Sequence, residues 1–339
     1  MIEARQDGVQ GPPTLVLGGS GFLGAHVVRQ LCEQRRPLRV LARRNSNLAL
    51  IDGLPVERVV GDVLDPDSLA RAMQGVEVVH HCVVDARAWL RDPDPLFRVN
   101  VEGMENALRA AEAAGVRRFV FTSTYGTIAP RADGGTSDER DHYDIIDDLP
   151  PYIRCRIEAE RRFFAHIAAS RMEGVAGCVA TTFGAGDLLP TPQGRLIDDA
   201  SRGRMPFYWD GGTCALGIED AARGMILAER HGASGARYIF SERWLGYREM
   251  FMHAARWAGR CGPRFRFPDA LMLPMADAVE WMAARLDREN RFNRDAIRCS
   301  TMLSRCTAAR ARSELGWEPT PVWEAVNAAL VDFRARRAR

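Results

Sequence analysis

The segment Gly18-Gly19-Ser20-Gly21-Phe22-Leu23-Gly24 constrains the fold of this chain more than any other. It follows a short apolar run, Thr14 to Leu17, and opens a helical pattern that reaches about Gln34. Glycines 18, 21 and 24 lie three apart, and Gly19, Gly21 and Gly24 also satisfy Gly-x-Gly-x-x-Gly. A strand that turns tightly into a helix needs glycine where the backbone crowds. The same turn aims backbone N–H groups and the positive helix N-terminus at an anion. Spacing and context together point to a site for a dinucleotide pyrophosphate, with Gly18, Ser20, Gly21, Phe22, Leu23 and Gly24 around it.

Beyond the turn, strand and helix alternate. Leu38 to Leu41 and Val56 to Val60 read as the second and third strands. Val76 to Val84 reads as a fourth, apolar on both faces apart from His80 and His81, as suits a buried parallel sheet. Helical patterns cover Ser68 to Gln74 and Arg98 to Ala114, the second capped by Gly115. A fifth strand from Arg118 to Ser123, a long helix from about Pro151 to Ser170 and a strand from Val175 to Thr182 follow. This order predicts an α/β fold, a Rossmann-type doubly wound parallel sheet with right-handed crossovers. After Gly184, prolines and tryptophans replace the regular alternation, which predicts a smaller C-terminal substrate-binding lobe. The expected organisation is a flexible N-terminus over 1–13, a dinucleotide-binding domain over 14–184, a lobe over 185–330 interleaved with late sheet elements, and a basic tail over 331–339.

The second strand ends in Leu41-Ala42-Arg43-Arg44. NAD binders commonly place an Asp or Glu here to hold the ribose 2′-hydroxyl, whereas an arginine accommodates a 2′-phosphate. The missing acid and the paired arginines favour NADP(H), with Arg43 on the phosphate. Composition supplies the competing reading: all 46 Lys+Arg residues are arginine, so a pair at a strand end can be merely solvated. A net charge of +2 makes no case for a nucleic-acid partner. No apolar run approaches a membrane span, and Met1 to Pro13 lacks the apolar stretch of a signal peptide. The eight cysteines are scattered, without Cys-x-x-Cys pairs or zinc-ligand spacing, so a reduced, cytoplasmic setting and no metal are expected.

With these elements placed, the sequence resembles the extended short-chain dehydrogenase/reductase family. The likeness is carried by Gly18 to Gly24, Gly61-Asp62-Val63-Leu64-Asp65, Asn100-Val101-Glu102-Gly103 and Phe121-Thr122-Ser123-Thr124. It continues through Tyr152 to Ala159-Glu160 and a late Glu314-Leu315-Gly316-Trp317-Glu318-Pro319, and so spans nearly the whole chain. Across Gly186-Asp187, Pro190-Thr191-Pro192 and Gly203-Arg204-Met205-Pro206 it looks most like dihydroflavonol-4-reductase-like and hopanoid-associated epimerase-like proteins, and less like 3β-hydroxysteroid dehydrogenases. The resemblance implies that Asp62 contacts the adenine with Val63 beside it, and that Cys82 and Val83 flank the cofactor. Thr124 would fill the catalytic Ser/Thr position, and Tyr152 would be the general acid, touching the cofactor together with Arg156. It also implies a homodimer through the helices at Arg98 to Ala114 and Pro151 to Ser170.

A tyrosine near its usual pKa of about 10 is a poor acid-base at neutral pH and needs a cation beside it. The family's lysine, four residues after the tyrosine, is replaced here in Tyr152-Ile153-Arg154-Cys155-Arg156. Guanidinium keeps the charge but not the compact reach of an ammonium. Two readings compete: an enzyme adapted to arginine, or a site relieved of the usual chemistry. Val83-Val84 and Cys178-Val179-Ala180 also depart from the family's small residues and proline, so the adenine half reads as intact and the nicotinamide half as altered.

Weaker features carry bland readings. His80, His81 and Cys82 are consecutive on a strand, so they point to alternating faces and read as structural. The carboxylates between Asp138 and Asp148 read as a solvated loop. Tyr208 and Trp209 are expected to line an apolar cavity, and Ala270 to Leu286 reads as a helix with one greasy face. The expected function is an NADP(H)-dependent oxidoreductase interconverting a carbonyl and a secondary alcohol on a fairly apolar small molecule. The alternatives are an epimerase or dehydratase of a nucleotide-linked sugar, and a dinucleotide-binding protein without turnover.

Overall fold

β1 (Thr14–Leu17) is buried along its whole length, and its side chains alternate between two cores. Val16 faces one and Leu15 and Leu17 the other, the period of two that a sheet covered on both faces requires. α1 (Phe22–Glu33), β2 (Leu38–Ala42), β3 (Glu57–Val60), α2 (Pro66–Met73), β4 (Val78–His81), α3 (Asp94–Phe97), α4 (Gly103–Ala113), β5 (Arg118–Thr124), α5 (Pro151–Ala169) and β6 (Glu173–Val179) continue the alternation. This computed structural model describes residues 11–286 and 290–338. The expected flexible N-terminus therefore lies outside the described residues up to position 10, as does Arg339.

The second half runs through β7 (Thr181–Phe183), α6 (Pro192–Ser201), β8 (Phe207–Tyr208), β9 (Gly212–Gly217), α7 (Ile218–His231), β10 (Ala236–Phe240), β11 (Arg243–Gly246) and α8 (Tyr247–Trp257). It ends in β12 (Phe265–Arg266), α9 (Asp269–Arg285), α10 (Arg294–Thr301), α11 (Ala309–Leu315) and α12 (Val322–Arg337). Seven strands form one parallel sheet in the order β10-β6-β5-β4-β1-β2-β3. The order reverses between β1 and β4, and such a switch point opens a crevice at the carboxyl ends of the strands. α1 and α7 cover one face with Val27, Val28, Leu31, Ala222 and Met225, while α4 and α5 cover the other with Met104, Leu108, Ala159 and Phe163. A separate core of Phe183, Ile197, Leu245, Phe251, Val326 and Leu330 holds α6, α8 and α12 against the small sheet β11-β9-β7.

Three departures from the sequence reading have physical causes. The helix expected from Arg98 begins as a π-helical turn over Arg98–Glu102. The strand expected over Val175 to Thr182 is two strands, because the chain leaves the main sheet at Ala180 and re-pairs with β9. The basic end is not a loose tail. α12 runs through Arg337, and Arg334 and Arg336 lie 4.9 and 5.0 Å from the ring centroids of Trp257 and Phe333.

Candidate active site

Gly18 adopts φ +79°, and a Cβ there would sit 2.8 Å from the backbone carbonyl of Cys82. A Cβ on Gly24 would fall 2.2 Å from the Gly18 oxygen, so the first turn of α1 rests directly on the end of β1. The amide of Cys82 donates to the Leu17 carbonyl at 2.9 Å, which sets Cys82 and Val83 beside the turn. Gly21 caps α1 without a side chain, leaving the N–H groups of the first helical turn facing the crevice. This cradle fits a pyrophosphate, because backbone donors, a helix N-terminus and the absence of Cβ atoms coincide.

Asp62 lies beyond the end of β3, one carboxylate oxygen accepting the Leu64 amide at 3.0 Å. Arg43 and Arg44 are exposed just past β2, and neither guanidinium is in an ion pair among the described residues.

Thr124 ends β5, and its Oγ1 accepts the Gly126 amide at 3.2 Å, leaving its own proton to donate outward. Ser123, one residue earlier, points the opposite way and donates to the Glu160 carboxylate. Tyr152 is half-buried in the first turn of α5, with Arg156 one turn further on. The Arg156 side chain is completely buried: Nη1 donates to Asn100 Oδ1 at 3.2 Å, Nη2 to the Thr122 carbonyl, and the guanidinium lies 5.2 Å from the centroid of the Phe121 ring. Its Nε is buried without a partner. The guanidinium is therefore turned toward β5 and the π-helical turn.

Burial pushes the Tyr152 phenol up to about 12, and the charge of Arg156 opposes that rise. His81, fully buried against the rings of Phe119 and Phe121, is pushed down to about 3 by burial and then by Arg156, so it is neutral at ordinary pH. His80 faces the other side and donates to Glu229 at 2.7 Å, so the adjacent histidines take separate structural places.

Five contributors carried no assigned role in the sequence reading. Asn100, within the π-helical turn, accepts both Arg156 and the Asp85 amide (3.1 Å) and donates to the Asp85 carbonyl (3.0 Å), tying the loop after β4 to α5. Glu160 accepts from Ser123, Thr127 (2.9 Å) and Arg237 (2.7 Å), a buried knot beneath Thr124. Arg237, on β10, also donates to the carbonyls of Glu139 and Asp141, so the carboxylate-rich loop expected to be solvated is anchored at its start. Cys299 of α10 is close enough to Tyr152 to raise the phenol further. Asn293, capping α10, donates to the Trp89 carbonyl at 2.8 Å, so α10 roofs this end of the crevice. Trp209 packs 5.1 and 5.3 Å from Tyr247 and Phe251 within the lobe, and Tyr208 lies under the guanidinium of Arg248.

A glycine turn at the switch point of a doubly wound parallel sheet, with a tyrosine one helical turn from a cation on α5, is the arrangement of an NAD(P)-binding Rossmann enzyme. The family model for the NAD dependent epimerase/dehydratase family matches residues 14–240, and the chain belongs to that family, an extended short-chain dehydrogenase/reductase. It is 31% identical to a putative dihydroflavonol 4-reductase of Synechocystis over 94% of either chain. It is likewise 31% identical to sterol demethylase protein B of Methylococcus capsulatus over 95% of this chain and 98% of that one. Among solved structures, gox2253 superposes with a TM-score of 0.86 at 32% identity, covering 96% of this chain and 99% of its own.

Proposed function

We propose that the protein is an NADP(H)-dependent oxidoreductase that interconverts a carbonyl and a secondary alcohol on a fairly apolar small molecule. The observation that carries this reading is the Tyr152–Arg156 pair on α5: a half-buried phenol one helical turn from a cation that has no carboxylate partner among the described residues, on the helix packed beside the end of β5 that carries Thr124. Thr124 Oγ donates to the substrate oxygen, and the Tyr152 hydroxyl delivers its proton as that oxygen gains negative charge. Burial keeps the Tyr152 phenol protonated at neutral pH but makes it a weaker acid than a free tyrosine, and the charge of Arg156 works against that weakening. The nicotinamide, when bound, supplies or accepts the hydride. Asn100 and the Thr122 carbonyl hold Arg156, which acts on Tyr152 through space.

The exposed Arg43 and Arg44, with no acid at the end of β2, support NADP(H) over NAD(H). Cys299 and Cys155 beside the phenol support an apolar substrate, in line with the flavonol and sterol names of the relatives. One observation favours a sugar-nucleotide epimerase or dehydratase instead. Arg195 on α6 is drawn below its ordinary range by burial and by the charge of Arg291, so two guanidiniums approach each other in the lobe, as an anion site would need. Calorimetric titration of NADPH and NADH on wild type and Arg43→Ala, followed by turnover on panels of apolar ketones and sugar nucleotides, tests the proposal. Equal affinities for the two cofactors overturn the NADP(H) assignment, and turnover confined to sugar nucleotides overturns the substrate class.

A further inference from the structure

α9 is apolar on two sides. Its inner side is satisfied: Met272 and Ala276 are buried with Ile297 of α10, flanked by Trp209, Phe267 and Phe292. Its outer side is bare, with Leu271, Trp281 and Met282 each half or more exposed and Leu286 following at the helix end. Residues 271, 274, 278, 281, 282 and 285 fall on one stripe of a 3.6-residue helix, and only Arg285 among them is polar. The Arg285 guanidinium lies 3.7 Å from the centroid of the Trp281 ring, so the charge itself sits on the aromatic face. Phe265, 69% exposed, lies just before the helix. A helix in water turns a polar face outward, whereas a surface stripe of Leu, Trp and Met rimmed by arginine matches a helix lying in a lipid interface.

We propose that α9 docks on an anionic bilayer surface, its apolar stripe entering the boundary between headgroups and acyl chains. Charge complementarity selects this occupant. Residues 256–298 carry nine arginines against six carboxylates, and Arg264, Arg285 and Arg291 are exposed. A second copy of this chain would bring the same patch against itself, setting arginine against arginine, while lipid phosphates oppose them. No described helix is long and apolar enough to cross a membrane, so the contact is peripheral. α10, against which α9 packs, also contacts α5, the helix that carries Tyr152, so the stripe lies one helix away from the helix of the general acid. The proposal rests on the apolar-substrate reading only for its purpose, since a substrate dissolved in lipid would reach the site from this side.

Sedimentation of the purified full-length protein with phosphatidylcholine vesicles, with and without roughly one-third phosphatidylglycerol, tests it without any substrate. The protein should co-sediment with the anionic vesicles and release as salt rises. The triple variant Leu271→Ser, Trp281→Ser, Met282→Ser should lose at least about ten-fold in partitioning, with NADPH affinity and melting temperature as in wild type. If the triple variant melts early, Trp281→Ser alone must still weaken binding, and brominated lipid must quench wild-type tryptophan fluorescence more than that of Trp281→Phe. Failure of the wild type to sediment, or undiminished binding by the variants, overturns the proposal. So does concentration-dependent self-association that the triple variant abolishes, which would assign the stripe to a second copy. Vesicle binding without turnover of any apolar ketone would leave the docking in place and remove the substrate reading.

Discussion

Replacing Arg156 with methionine separates what the guanidinium does for the fold from what it does for Tyr152. The side chain is completely enclosed and donates to two neutral acceptors, Asn100 Oδ1 at 3.2 Å and the Thr122 carbonyl, with no ion-pair partner among the described residues. Hydrogen bonds from a charged donor contribute about 1.5–3 kcal/mol each, so the variant forfeits roughly 3–6 kcal/mol. Holding an unpaired cation out of water costs several kcal/mol, which an apolar side chain of similar length avoids. The two effects nearly cancel, and the melting temperature should move by no more than about 5 °C. The chemistry has no such compensation. Tyr152, already near 12, loses the positive charge that opposes its burial, and turnover should fall by a factor on the order of 100, comparable to losing acid-base assistance. Differential scanning calorimetry, NADPH titration and steady-state kinetics on a confirmed substrate read these separately. A loss of more than about 10 °C would show that the cation is a structural keystone, contrary to the cancellation. Unchanged turnover would remove Arg156 from the mechanism.

Further outcomes follow from other contacts. Arg156→Lys should lower turnover by roughly ten-fold, because one ammonium cannot serve both the Asn100 and Thr122 acceptors that the fork spans; equal or higher activity would mean that the fork is dispensable. Gly24→Ala drives a Cβ into the Gly18 oxygen 2.2 Å away, so calorimetry should show dinucleotide affinity reduced at least about ten-fold. His81 is protonated in the unfolded chain below about 6.5 but in the folded protein only near 3. Stability should therefore drop as pH falls between those values, by about 1.4 kcal/mol per unit at most, and urea melts of His81→Leu should lose that slope. Arg237→Met strands the buried Glu160 carboxylate and should cost about 3–5 kcal/mol, the largest loss among these variants in the same melts.

The sheet was legible because its signals are local. Glycine spacing, doubly apolar strands and the cap at Gly115 each act within a few residues, and the parallel order follows from the crossovers. The π-helical turn was not legible, since Arg98 to Glu102 has an ordinary helical sequence. Asn100 meets Arg156 and Asp85 from this turn, contacts that tertiary packing creates 56 and 15 residues away. Thr124, Tyr152 and Arg156 were named by resemblance, but the inward direction of the guanidinium depends on acceptors that spacing cannot reveal. Arg237 was invisible for the same reason: its partner Glu160 is 77 residues distant and becomes a neighbour only when β10 joins β6.

The placement of β10 has a consequence for how such a protein can change. α6, β8 and β9 precede it, α8 and α12 come after it, and yet β10 itself completes the edge of the nucleotide-binding sheet and carries the cation for Glu160. The substrate side is thus written in two instalments with an indispensable piece of the other half between them. A chimaera made by one crossover after β7 would import a foreign edge strand along with the foreign pocket, and would strand a charge beneath Thr124 unless the donor supplied an arginine in register. Exchange of specificity by recombination needs two junctions here, one on each side of α7 and β10, whereas substitutions within the roof can proceed one at a time.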